Sequence, residues 1–124
     1  AADGSDCLLN CTVVDASGRR LVSNPSLLAA PISLLPKLPP VVLTATVAGP
    51  RPSASAGHSN APIRVTVTAT APALFVTLST LAQGRFSRNA FFTAGGSETV
   101  DFYPIATEGD QYSVLNTSLT VQSL

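Results

Sequence analysis

Ile63-Arg64-Val65-Thr66-Val67-Thr68-Ala69-Thr70-Ala71 is the stretch whose reading decides the fold class. Apolar and polar residues alternate through it without a break. Ile63, Val65, Val67, Ala69 and Ala71 share one face, and Arg64, Thr66, Thr68 and Thr70 share the other. A period of two with β-branched side chains is the pattern of a half-buried β-strand. Val65 and Val67 are therefore expected in the core of a sheet.

The same alternation recurs on both sides. Val41, Leu43, Ala45 and Val47 alternate with Thr44 and Thr46 upstream. Downstream, Leu74, Val76 and Leu78 alternate with Thr77 and Ser79, which leaves Phe75 facing outward. Val100 and Phe102 alternate with Thr99, Asp101 and Tyr103. Near the end, Leu115, Leu119 and Val121 fall on one face of an expected last strand, with Asn116, Ser118 and Thr120 on the other. Phe91 and Phe92 are adjacent, so in a strand one of them must face away from the core.

Turn chemistry separates these runs. Asp15-Ala16-Ser17-Gly18 reads as a hairpin turn between two short extended segments. Ala71-Pro72 breaks one strand from the next, and Gly95-Gly96 precedes the Thr99–Tyr103 run. No helical period is apparent, and prolines at ten positions interrupt most helical candidates. Gly49 to Pro62 is small, polar and rich in Pro and Gly, and reads as a loop between two core strands. Short strands at regular spacing with Gly/Pro turns imply an all-β, antiparallel β-sandwich. The alternating runs start at residue 41. Residues 1–40 are then N-terminal strands and a proline-rich connection, continuous with an upstream domain, and 41–124 form the sandwich.

Length and charge narrow the function. The 124 residues suffice for one domain with a real core. Only 11% are charged, seven basic against seven acidic, so no field exists to attract nucleic acid or an anionic membrane. So few charges suggest that part of the surface is covered by something else. No apolar run is long enough to span a bilayer, since prolines and Lys37 interrupt the most apolar stretch, Leu27 to Val47. Met is absent throughout, which fits a processed product or a piece of a longer chain.

Candidate chemistry is sparse. Asp3, Asp6, Asp15, Glu98, Asp101, Glu108 and Asp110 are the carboxylates, and nothing in their spacing sets two of them around a sugar bond. Glu108 and Asp110 read as a solvated acidic loop. His58 stands alone within the Gly49–Pro62 stretch and reads as a solvated side chain. Cys7 and Cys11, four apart, read as unpaired thiols or as partners of a segment outside this chain; in an extended strand they lie too far apart to pair with each other. Two cysteines do not make a zinc site. No catalytic residue, metal or cofactor is expected. Asn10-Cys11-Thr12 and Asn116-Thr117-Ser118 are N-glycosylation sequons, whereas Pro25 excludes Asn24. They favour a secretory compartment: lysosomal, vacuolar or extracellular.

The segment from Ala71 to Pro104 adds a family. Ala71-Pro72 leads into Leu74–Leu78. Gly84, Arg85, Phe86, Ser87, Asn89 and Phe91 form a Gly-Arg-Phe-Ser-x-Asn-x-Phe pattern, and the next strand ends in Phe102-Tyr103-Pro104. A Val121-x-Ser123-Leu124 ending follows. This order resembles the C-terminal immunoglobulin-like domain of β-mannosidases, exoglycosidases of glycoside hydrolase family 2. The match covers about the last half of the chain. Arg88 stands where the family usually carries Asp, and Ile105 where a Trp often follows. The resemblance implies an immunoglobulin-like sandwich, non-catalytic in itself. Its parent would remove terminal β-linked mannose with glutamates on an upstream barrel. The partners would be upstream domains of the same polypeptide or a cleaved partner chain. Phe75, Arg85, Arg88, Asn89, Phe91 and Phe92 are the candidate docking residues. The competing reading is an independent secreted binding or adhesion module with no enzyme attached.

Overall fold

The structure, a computed structural model, describes residues 8–28, 30–49, 61–105 and 109–124. Residues 50–60 of the expected loop, with His58, lie outside the described residues, as do Asp3, Asp6, Cys7 and Glu108. The chain separates into two compact units, Ala1–Pro39 and Pro40–Leu124.

In the first unit, β1 (Leu8–Val14) pairs antiparallel with β2 (Arg20–Leu27). The turn is built as its sequence suggests. Asp15 Oδ1 accepts from the Ser17 and Arg19 amides, each at 2.9 Å, and Gly18 takes φ +86°, a left-handed value that glycine adopts without steric cost. A short helix, α1 (Pro31–Leu34), and a 3₁₀ turn (Leu35–Lys37) follow.

The second unit is an immunoglobulin-like sandwich of two antiparallel sheets. One sheet has the order β3 (Leu43–Ala48), β4 (Ile63–Ala69), β8 (Gly96–Pro104), β6 (Gly84–Phe86). The other has the order β7 (Phe91–Thr93), β5 (Ala73–Ser79), β9 (Thr120–Gln122). The alternation in the sequence sets the inner faces. Val65 lies opposite Val100 and Ile63 opposite Phe102, and all four are buried. Val76, Leu78 and Phe91 meet them from the second sheet. Gly84 is required where it is: a Cβ there would run into the Phe102 ring and the Tyr103 carbonyl oxygen.

One element differs from the sequence reading. Residues 111–118 form a helix, α2 (Gln111–Ser118), and not the first part of a last strand. Asp110 is its N-cap, its carboxylate accepting from the Ser113 amide at 3.2 Å and the Ser113 hydroxyl at 2.8 Å. Asp110 is thus exposed, as the sequence reading has it, and also caps the helix. The helix lowers Leu115 into the core, where it is wholly buried, and only Thr120–Gln122 remain as strand.

Candidate docking surface

Backbone irregularity in β5 creates the most distinctive surface feature. Ala73 pairs with Thr93 and Val76 with Phe91, so the ladder slips by one residue between them. Phe75 absorbs the slip with φ +51°, a left-handed conformation that a bulky side chain rarely adopts. Its ring meets Phe92 edge to face, with centroids 4.8 Å apart and planes at 77°. Phe91 and Val76 point inward and are buried, so Phe75 and Phe92 lie on the outer face of the three-stranded sheet, both half-buried.

The other expected docking residues separate from this pair. Phe91 is a core residue, because alternation along β7 turns it inward while Phe92 turns out. Asn89 is also consumed by the fold: its amide bonds both main-chain groups of Leu78. Arg88 Nη2 reaches Glu98 Oε2 at 2.6 Å, and its guanidinium sits 4.5 Å from the centroid of Phe91. Glu98 lies opposite the buried Val67, so its side chain leaves the inner face of β8. The ion pair therefore links that sheet to the β6–β7 connection at the rim of the core. Arg85 belongs to the opposite sheet, where it pairs across strands with Tyr103 and its guanidinium lies 5.0 Å from that ring.

Four exposed apolar side chains of this unit, Val42, Leu81, Ile105 and Leu124, were not singled out as docking residues from the sequence. Leu81 is 83% exposed and Ile105 67% exposed, and they flank the main-chain bond from the Ile105 amide to the Gln83 carbonyl. The signal was available at Ile105, an aliphatic residue directly after the Phe102-Tyr103-Pro104 strand end.

Three of the four described carboxylates have structural tasks, and the fourth, Asp101, lies on an outer face. Asp15 builds the hairpin turn, Glu98 pairs with Arg88, Asp101 lies opposite Arg64 on the outer face, and Asp110 caps α2. The Asp15 carboxyl is held below its ordinary value of 3.8, first by the Ser17 hydroxyl and then by the Arg19 amide. Cys11 is a free, exposed thiol on β1. Both sequon asparagines are exposed: Asn10 on β1 and Asn116 on α2. Among the described residues, no group of three or more His, Cys, Asp or Glu is placed to hold a metal ion, and no helix is long and apolar enough to cross a membrane.

Comparison with curated proteins returned no match. A family of Ig-fold domains, Ig_mannosidase, matches residues 45–124. The matched span starts within β3 and runs through β9, and so takes in both sheets, α2 and the Phe75–Phe92 pair. With the sandwich and its sequence signature covered together, the chain belongs to the Ig-fold domain family of mannosidases.

Proposed function

We propose that this chain is a non-catalytic, C-terminal part of a β-mannosidase-like enzyme of glycoside hydrolase family 2. The parent removes terminal β-D-mannose residues in glycan breakdown, with a carboxylate pair carried elsewhere in the polypeptide. The sandwich packs against the other domains of that polypeptide through Phe75 and Phe92. The observation that carries this reading is the aromatic pair itself. A phenylalanine held at φ +51° is strained, and such strain persists where surrounding structure or function requires it. Here it brings a second ring beside Phe92 on an otherwise sparsely charged domain.

The hairpin unit supports a continuation upstream. Leu9, Val13, Val14, Leu21 and Val22 are all more than half exposed, and a two-stranded hairpin alone is marginal in water. Residues 1–40 are accordingly assigned to a preceding domain that covers them. The parent works in a lysosomal, vacuolar or extracellular compartment, a reading supported by the sequons.

The test compares the parent enzyme with its Phe75→Ser/Phe92→Ser variant. The expected result is earlier proteolytic release of the sandwich and a lower melting temperature of the parent, while residues 40–124 alone stay folded. The isolated chain should not hydrolyse an aryl β-mannoside. Hydrolysis by that chain, lost on changing Glu98, would overturn the proposal.

A further inference from the structure

The register of the β1–β2 hairpin sorts its side chains onto two faces. Register places Leu9, Cys11, Val13 and Val22 on one face, together with Asn24 and Ser26. Asn10, Thr12, Ser23 and Pro25 occupy the other, together with Val14, Arg20 and Leu27. On that second face Asn10 Oδ1 accepts from the Ser23 hydroxyl at 2.7 Å, and the Thr12 hydroxyl lies 3.2 Å from the same Ser23 oxygen. We infer that Asn10 is an N-glycosylation site.

Three observations carry the inference. First, residues two apart on a strand project from the same face, so the folded hairpin presents Asn10 and Thr12 side by side. On α2 the corresponding pair, Asn116 and Ser118, is turned about 200° apart around the helix axis. Second, the Asn10 amide is anchored through its oxygen. Among the described residues its Nδ2 has no hydrogen-bond partner, and a sugar on Nδ2 leaves the Ser23 bond in place. Third, Ser118 has a structural task that accounts for it without any modification. Its hydroxyl donates to the Val114 carbonyl at 2.6 Å and accepts from the Leu81 amide at 2.9 Å. Thr12 makes only the exposed contact with Ser23.

The donor is a lipid-diphosphate-linked oligosaccharide. Asn10 Nδ2 forms a bond to the anomeric carbon, the bond from that carbon to the diphosphate oxygen breaks with its electron pair on the oxygen, and Nδ2 gives up one proton to the transferase. The acceptor is then a surface strand in a secretory compartment. The glycan stands on the face away from Leu9, Cys11, Val13 and Val22.

The experiment begins with the protein isolated from its natural source. It is digested and treated with peptide N-glycosidase in heavy-oxygen water, which marks an occupied asparagine as labelled aspartate. The peptide carrying Asn10 should be labelled. In the chain secreted from eukaryotic cells behind a leader, Asn10→Gln and Thr12→Val should each abolish the glycosidase-sensitive mobility shift, and Asn116→Gln should leave it unchanged. An Asn10 peptide found only at its unmodified mass would overturn the inference. So would a shift that survives Asn10→Gln and disappears with Asn116→Gln. Neither result bears on the packing role of Phe75 and Phe92, which the proteolysis of the parent reads separately.

Discussion

Asn89 stands in for a strand residue opposite Leu78. Its Oδ1 accepts from the Leu78 amide at 2.7 Å and its Nδ2 donates to the Leu78 carbonyl at 2.9 Å. Val76 pairs with Phe91, so the next antiparallel step would set Leu78 against Asn89. The main chain does not take that place, because Ala90 turns it away with φ +53°. The side-chain amide supplies the same donor and acceptor in its stead. β5 thereby stays bonded on this side while its opposite edge pairs with β9.

Replacing Asn89 with Ala should therefore cost about 1–3 kcal/mol, since both Leu78 groups lose a partner in a part-buried place. Asn89→Asp keeps the acceptor and loses the donor, and should fall between. Denaturant unfolding of residues 40–124 measures both. An alanine variant as stable as the parent sequence would show that water replaces the amide at no cost.

Much of the sandwich was legible because alternation is a local signal. The Ile63–Ala71 pattern sorted Val65 and Val67 inward correctly, and both are buried. The Asp15 turn was legible for the same reason, since the carboxylate acts on residues within four positions of itself. Three features were not. Leu115, Leu119 and Val121 satisfy a period of two, yet Leu115 reaches the core from α2. Asp110 with Ser113 was the available start signal for that helix. The one-residue slip at Phe75 is invisible to side-chain pattern, because Ala73-Leu74-Phe75-Val76 contains no glycine to mark it. The roles of Arg88 and Asn89 depend on Glu98 and Leu78, each about ten residues away along the chain.

The helix correction gives a second prediction. Leu115→Ala should destabilise residues 40–124 by about 2–5 kcal/mol through lost burial and a cavity. Asp110→Ala should cost about 1 kcal/mol by removing the N-cap. Asp110→Asn, which retains a capping oxygen, should be milder. If Leu115→Ala proves no worse than the capping change, the helix is not a core element.

Acid should act on the hairpin turn through Asp15. Its carboxyl is held below 3.8, so the charged form is favoured in the folded turn. Stabilisation from this group is present above the unfolded value and is lost as pH falls through the lower folded value. The amide resonances of Ser17 and Arg19 should move together over that acid window and stay fixed at neutral pH. In Asp15→Asn the movement should vanish. Titration of both amides at or above pH 3.8 would contradict the direction of the shift.

Strain at Phe75 and burial at Phe91 lead to opposite outcomes for two aromatic changes in one sheet. Asn tolerates a left-handed backbone better than Phe, so Phe75→Asn relieves strain of about 1–3 kcal/mol. Against that, it gives up the edge-to-face contact with Phe92, about 0.5–1.5 kcal/mol, and some half-buried area. The stability of residues 40–124 should then change by no more than about 1 kcal/mol. Phe91→Ala empties a core position with no strain to relieve, and should cost about 3–5 kcal/mol. In the parent enzyme the order should narrow or reverse, because Phe75→Asn also removes a ring from the docking face. Unfolding of the isolated unit, set beside proteolysis of the parent, separates the two contributions. Equal and large losses from both changes in the isolated unit would mean that Phe75 serves this unit's own stability, and the docking role would lose its structural basis.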